Sequence, residues 1–254
     1  MNQEIIRDEK AMGLPWGFWL TIVFSLAIFL ASSFGQVIAA VVYIIFVKIQ
    51  SPDLNIIQFS RELEGNVLYL SISTLIAAPI YIGLCGLFAK IRNTMPIREY
   101  LGLHRCGWKI IVKWIAIIIL VMIGSDTLTY LLHRDIVPSF MVNIFETAGS
   151  IPLLLFAIIL VAPIIEELFF RGFMFRGLQY SKMGPIGAIL ITSLLWSGIH
   201  LQYNLYQIAI LFATGLIFGW ARVKTNSIIP CIVMHITLNI AATFELVIYL
   251  KYFA

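Results

Sequence analysis

An all-α fold, a polytopic bundle of about seven transmembrane helices, is what this sequence predicts, and three observations predict it. The chain of 254 residues is 61% hydrophobic and only 12% charged, with a mean hydropathy of +0.96, against roughly 45–50% and 25% in soluble domains. Apolar runs recur at the length of about 20 residues that crosses ~30 Å of hydrocarbon. The 17 Lys and Arg residues fall mainly at the ends of those runs.

The runs follow in order. Trp16–Val47 is too long for one perpendicular helix and too short for two, so a tilted or protruding helix is expected. Val67–Ala89 and Ile110–Leu132 come next, then Ile151–Leu178, which holds two adjacent carboxylates in its interior. Ile186–Leu201 is short and is expected to extend into its polar flanks; Tyr206–Val223 and Ile228–Tyr252 complete the set. Trp16 and Trp19, Trp108 and Trp114, and Tyr249 and Tyr252 mark ends at headgroup depth. With the N-terminus cytoplasmic, thirteen of the 17 basic residues lie in inner segments and four (Lys48, Arg61, Arg134, Lys251) in outer ones, which predicts N-in, C-out. The opening MNQEIIRDEK is mixed in charge, and the apolar run after it far exceeds a signal-peptide core of about 7–15 residues, so no cleavable signal is expected.

No connector is long enough to bury a core of its own. The pI near 9.0 does not indicate nucleic-acid binding, because the basic residues sit at segment ends. Cys85, Cys106 and Cys231 have no paired spacing, which argues against a disulfide framework and a thiolate zinc site. There is no internal repeat and no inverted pair of interrupted helices of the transporter kind. The basic connector Lys90–Lys109 reads equally as an interfacial helix or as a plain loop.

The chemistry lies in the polar residues inside apolar runs. A charge at bilayer depth costs at least ~2.5–3.5 kcal/mol on insertion scales, so Glu166, Glu167 and Arg171 point to a functional site within the membrane. Residues four apart share a helix face; Glu167 and Arg171, Trp196 and His200, and His235 and Asn239 are three such pairs. Pairing Glu167 with Arg171 leaves Glu166 for chemistry. Each feature has a plainer reading: a structural ion pair, an interfacial His200, and His235 with Asn239 as interhelical hydrogen-bond glue. Asp126 and Glu245 read as outer-end residues reaching water. Taken together, a carboxylate and a histidine can activate water, and a histidine with an asparagine can stabilise a developing oxyanion. Glu166, His200 and His235 could instead hold zinc, although HExxH is absent and the ligands would have to converge from three helices.

These motifs resemble those of the CPBP family of intramembrane proteases, which includes the eukaryotic CAAX prenyl endopeptidase and bacterial Abi-type membrane proteins. EELFFR matches the paired glutamates and arginine (Glu166, Glu167, Arg171). WSGIH matches the aromatic and histidine (Trp196, His200), with tryptophan in place of the usual phenylalanine, and HITLN the histidine and asparagine (His235, Asn239). The likeness covers roughly Pro152–Ala242, with 151–254 as the catalytic core helices and 1–150 as N-terminal helices and connectors of one integrated membrane domain.

The resemblance implies an intramembrane endopeptidase in which Glu166 with His200 activates water, His235 and Asn239 form the oxyanion hole, and Glu167, Arg171 and Trp196 support the site. It implies a peptide or membrane-protein substrate, prenylated in the CAAX enzymes, and a bacterial inner-membrane location. No cofactor is expected, zinc being the metal to consider, and no nucleic-acid partner. Counting ~1.5 Å per residue from the segment ends, however, separates Glu166 from His200 by on the order of 10–15 Å along the membrane normal. The alternative functions are a non-proteolytic membrane interaction or immunity protein that keeps the fold, and a proton-coupled transporter using the carboxylates as a relay.

Overall fold

The computed structural model describes residues 13–146 and 151–252. The tail with Arg7 and Lys10, and the expected boundary between residues 150 and 151, involve residues outside the described ones. The chain is an all-helical integral membrane protein. Six of its described helices are long and apolar enough to cross a bilayer, and a seventh apolar helix is shorter.

Helix α1 (Phe18–Gln50) has 33 residues, about 50 Å at 1.5 Å per residue, so it overshoots the hydrocarbon as its sequence predicts. A short α2 (Ile56–Glu62) leads to α3 (Val67–Arg92), which packs against α1. Asn66 caps the start of α3 by accepting from the Tyr69 amide, and Asn93 closes it in the left-handed region at φ 50°. After α4 (Ile97–Leu101) comes α5 (Trp108–Leu131), then α6 (Ser139–Glu146). The compound helix α7 (Ile151–Gln179) follows, then α8 (Gly184–Gly198), α9 (Leu205–Thr225) and α10 (Ile229–Tyr252). An Asn204–Gln207 capping box starts α9. α8 packs against α9, and α10 against α5 and α9.

The core lies around α7. From Glu167 to Leu178 every residue is buried, the pattern of a helix enclosed on all sides. Phe169 meets Tyr81, Phe173 stacks on Tyr100, and Trp196 and Phe218 close the far side. The peripheral helices bury narrow stripes and present Leu, Ile, Val and Phe outward, as lipid-facing helices do.

The Lys90–Lys109 connector is partly helical and is tied into the bundle. Tyr100 and Leu101 are buried, Gly102 at φ 68° accepts from the Ile228 amide, and the His104 carbonyl accepts from the Ser227 hydroxyl. The Arg222 guanidinium lies so close to Gly102 that a Cβ there would stand 2.8 Å from Nη2. Apolar residues interleaved with basic ones fit this wedge as well as they fit a surface helix, which is why the sequence pattern did not separate the two.

Arg171, counted with the inner basic residues, is instead fully buried inside the bundle. Cys85 and Cys231 are buried free thiols, and Cys106 is a half-buried one.

Candidate active site

α7 is not a uniform α-helix. It runs as α from Ile151 to Leu155, as wide π-turns over Phe156–Val161, as α over Ala162–Glu167, and as π-turns again over Leu168–Met174. Such turns recur at functional sites because they leave backbone groups unpaired and re-aim side chains. Here the cause is legible. The Ala162 amide bonds the Ala157 carbonyl in the wide register. The next donor in that register, which would serve Ile158, is Pro163, and proline has no N–H. The Asn239 amide supplies the missing bond, donating from Nδ2 to the Ile158 carbonyl at 2.8 Å. A carbonyl only accepts, so this contact fixes the orientation of the Asn239 amide and leaves its second N–H for other use.

Between the two wide stretches, Glu166 and Glu167 take separate environments. Glu167 is fully buried; its Oε1 accepts from Arg171 Nη1 at 3.0 Å and from His235 Nδ1 at 3.0 Å. Arg171 Nη2 reaches the Gly215 carbonyl at 3.4 Å, and its guanidinium lies over the Trp196 ring at 4.9 Å and the Phe218 ring at 5.4 Å, a cation–π setting suited to a desolvated cation. The expected Glu167–Arg171 pair is therefore present, with His235 as its third member.

Glu166, partly exposed, turns toward a cavity of about 380 Å³ that Trp196, His200, His235 and Asn239 also line. Its Oε2 accepts from Trp196 Nε1 at 2.7 Å and lies 4.0 Å from His235 Nε2. The Trp196 carbonyl accepts from His200 Nδ1 at 2.7 Å. Each of the two imidazoles thus has its Nδ1 proton engaged, and a neutral ring then carries its lone pair on Nε2.

Two expectations change. Glu166 and His200 line one cavity rather than standing apart as the count from the segment ends would have it. His200 was expected to act with Glu166, but Glu166 Oε2 takes its hydrogen bond from Trp196, and the histidine within 4.0 Å of it is His235.

Among the described residues no three His, Cys, Asp or Glu side chains converge closely enough to hold a metal ion. Asp126 on α5 and Glu245 on α10 are half-buried and both line the same cavity. Tyr203, which stacks on His200 with ring centroids 6.1 Å apart, is another residue that sequence reasoning missed. It lies three residues beyond His200, and that proximity was its one signal.

Gly215 admits the guanidinium. A Cβ there would stand 3.2 Å from Arg171 Nη2 and 3.0 Å from Ser193 Cβ. Gly215→Ala is expected to lower stability by ~1–3 kcal/mol, as overpacking a filled core does. The check is thermal unfolding of the purified variant in detergent; a midpoint equal to wild type would mean that α9 accommodates the methyl without cost.

Comparison with known proteins bears on the same stretch. A curated Escherichia coli protein described as an uncharacterized 24.3 kDa protein is 38% identical over 102 residues, covering 38% of this chain and 46% of that one. The UPF0177 protein YxdF of Lactococcus lactis is 29% identical over 97 residues, covering 37% of this chain and 52% of its own. The chain thus spans about half the length of the curated relatives it matches. No solved structure matches. Residues 148–241, which include all three motif pairs, match the family model described as type II CAAX prenyl endopeptidase Rce1-like, in keeping with the CPBP family.

Proposed function

We propose that this protein is an intramembrane endopeptidase in which a glutamate and a histidine activate water for attack on a peptide bond. The observation that carries the reading is the meeting of Glu166 on α7, His200 just beyond the end of α8, and His235 and Asn239 on α10 around one cavity. The Rce1-like match over the same residues supports it.

A water about 2.8 Å from each of Glu166 Oε2 and His235 Nε2 completes a triangle on their 4.0 Å base. Glu166 takes the proton of that water as its oxygen attacks the carbonyl carbon. His235, held by Glu167 through Nδ1, relays the proton from Nε2 to the departing amine, the service an oriented imidazole gives elsewhere. The second N–H of Asn239 donates to the carbonyl oxygen as negative charge develops there. His200 presents Nε2 to the same space. This assigns His235 rather than His200 as the partner of Glu166, on the distance.

Leu154, Ile158, Met122 and Leu238 line the cavity beside these groups, which suits a peptide with apolar residues flanking the scissile bond, from a membrane-associated or prenylated substrate. The reading calls on no cofactor and no nucleic acid. The cavity lies toward the Leu70 end of α3 and the Thr129 end of α5, opposite the ends that carry Lys90, Arg92, Lys109 and Lys113. With the N-terminus cytoplasmic in a bacterial inner membrane, the cavity opens away from the cytoplasm.

The test compares newly created protein N-termini in membranes expressing wild type or Glu166→Gln at matched levels. Termini that appear only with wild type, at apolar sites exposed outside the cytoplasm, are the expected result. Identical profiles, under conditions where wild type still gives a phenotype, would move the assignment to a non-proteolytic interaction protein.

A further inference from the structure

We propose that Trp196 is a positioning residue for the reaction: its indole N–H holds the Glu166 carboxylate in the orientation that water activation needs. The inference rests on the endopeptidase reading for its catalytic consequence, and on the geometry alone for the hydrogen bond.

Trp196 is the most tightly held large side chain beside the cavity. It is 1% exposed, with Phe218 at 5.6 Å and His235 at 5.3 Å between ring centroids, the latter edge-on at 85°. A ring packed on these sides cannot swing, so its N–H is a fixed donor aimed at Glu166 Oε2. Glu166 itself is half-buried and belongs to a short α-helical stretch between two wide-turn segments. Without a donor its carboxylate could rotate among the cavity walls. The indole fixes Oε2 and leaves Oε1 directed by the plane of the group. Arg171 lies over the same ring at 4.9 Å, and a cation on the face of an indole draws electron density from its nitrogen and strengthens the N–H as a donor. The Trp196 carbonyl meanwhile takes the His200 Nδ1 proton, so one residue sets both Glu166 and His200. Phenylalanine would fill the same space and keep the carbonyl contact but would lack the donor.

The test has two arms. In the first, protein labelled with ¹⁵N on its indoles is reconstituted in nanodiscs, and the Trp196 indole resonance is assigned by its absence from Trp196→Phe. A charge-assisted hydrogen bond places it downfield of the exposed indoles, and Glu166→Gln is expected to move it upfield. In the second, benzothienylalanine, which replaces the indole N–H by sulfur at nearly constant shape, is incorporated at position 196. Its kcat for a cleaved peptide is expected to fall about 10–100-fold, the scale of one hydrogen bond to a charged group, with KM unchanged. Trp196→Phe is expected to match it. A merely structural role would instead lower folded yield and leave kcat per folded molecule intact. An indole resonance indifferent to Glu166→Gln, or wild-type kcat with benzothienylalanine, would overturn the proposal. A resonance that responds to Glu166 in a protein without any peptidase activity would instead sink the endopeptidase reading and leave the hydrogen bond standing.

Discussion

Arg171→Met is expected to deplete folded protein, and Glu167→Leu/Arg171→Met to restore most of it. Arg171 and Glu167 are both fully buried, 3.0 Å apart, with the guanidinium between aromatic faces. Removing the cation alone strands a carboxylate in the bundle with only His235 beside it, and breaking a buried pair in this way costs ~3–5 kcal/mol. Methionine keeps the volume and the contact with Trp196 and Phe218, so packing is not the source of the loss. Removing both charges eliminates the stranded one, and an apolar pair of similar size is often neutral or stabilising. Activity should not return with folding, because His235 Nδ1 loses the acceptor that orients the ring. Monodisperse yield after detergent extraction, set beside turnover per folded molecule, separates the two effects. A single variant that folds as well as wild type would mean that the ion pair is not what organises this part of the bundle.

The sequence carried the gross architecture because bilayer crossing is a strong constraint: length and hydropathy alone located α1, α3, α5, α7, α9 and α10 close to their observed ends. It also carried the pairing of Glu167 with Arg171, since helix geometry places residues four apart together. What it could not carry were contacts decided by how helices distant in the chain pack together. That His200 would share a cavity with Glu166 depends on how α8 packs in the bundle, which its apolar composition does not encode. The Trp196–Glu166 bond joins residues 30 positions apart on different helices, and no local pattern announces it. The wide turns of α7 have no periodicity of their own, although Pro163 five residues after Ile158 hinted that a carbonyl would need an outside donor. That Asn239 would supply it could not be read from a residue 81 positions away. Asp126 and Glu245 come to one cavity from helices distant in the chain, and nothing local to either residue announced it.

Glu166→Gln and His235→Ala are each expected to lower kcat/KM by about 10²–10⁴-fold, the range for removing a general base or its partner, and the double variant is expected to be no slower than the worse single one. The reason is geometric. The 4.0 Å separation of Glu166 Oε2 and His235 Nε2 lets both groups act on one water, and residues that serve a single step lose their effects together rather than multiplicatively. Glutamine keeps the size of the side chain and can keep a contact with Trp196, so the loss reports the missing base. His235→Ala leaves Glu167 paired with Arg171, which preserves the ion pair while removing the relay. If the two losses multiply, His235 works apart from the water, as a donor to the oxyanion beside Asn239, and His200 is the partner of Glu166. The cycle of Glu166→Gln with His200→Ala then becomes the non-additive one. The same purified proteins, assayed on one apolar peptide found through its newly created N-terminus, decide between the two pairings, because only one histidine can share the water with Glu166 and be silent once Glu166 is gone.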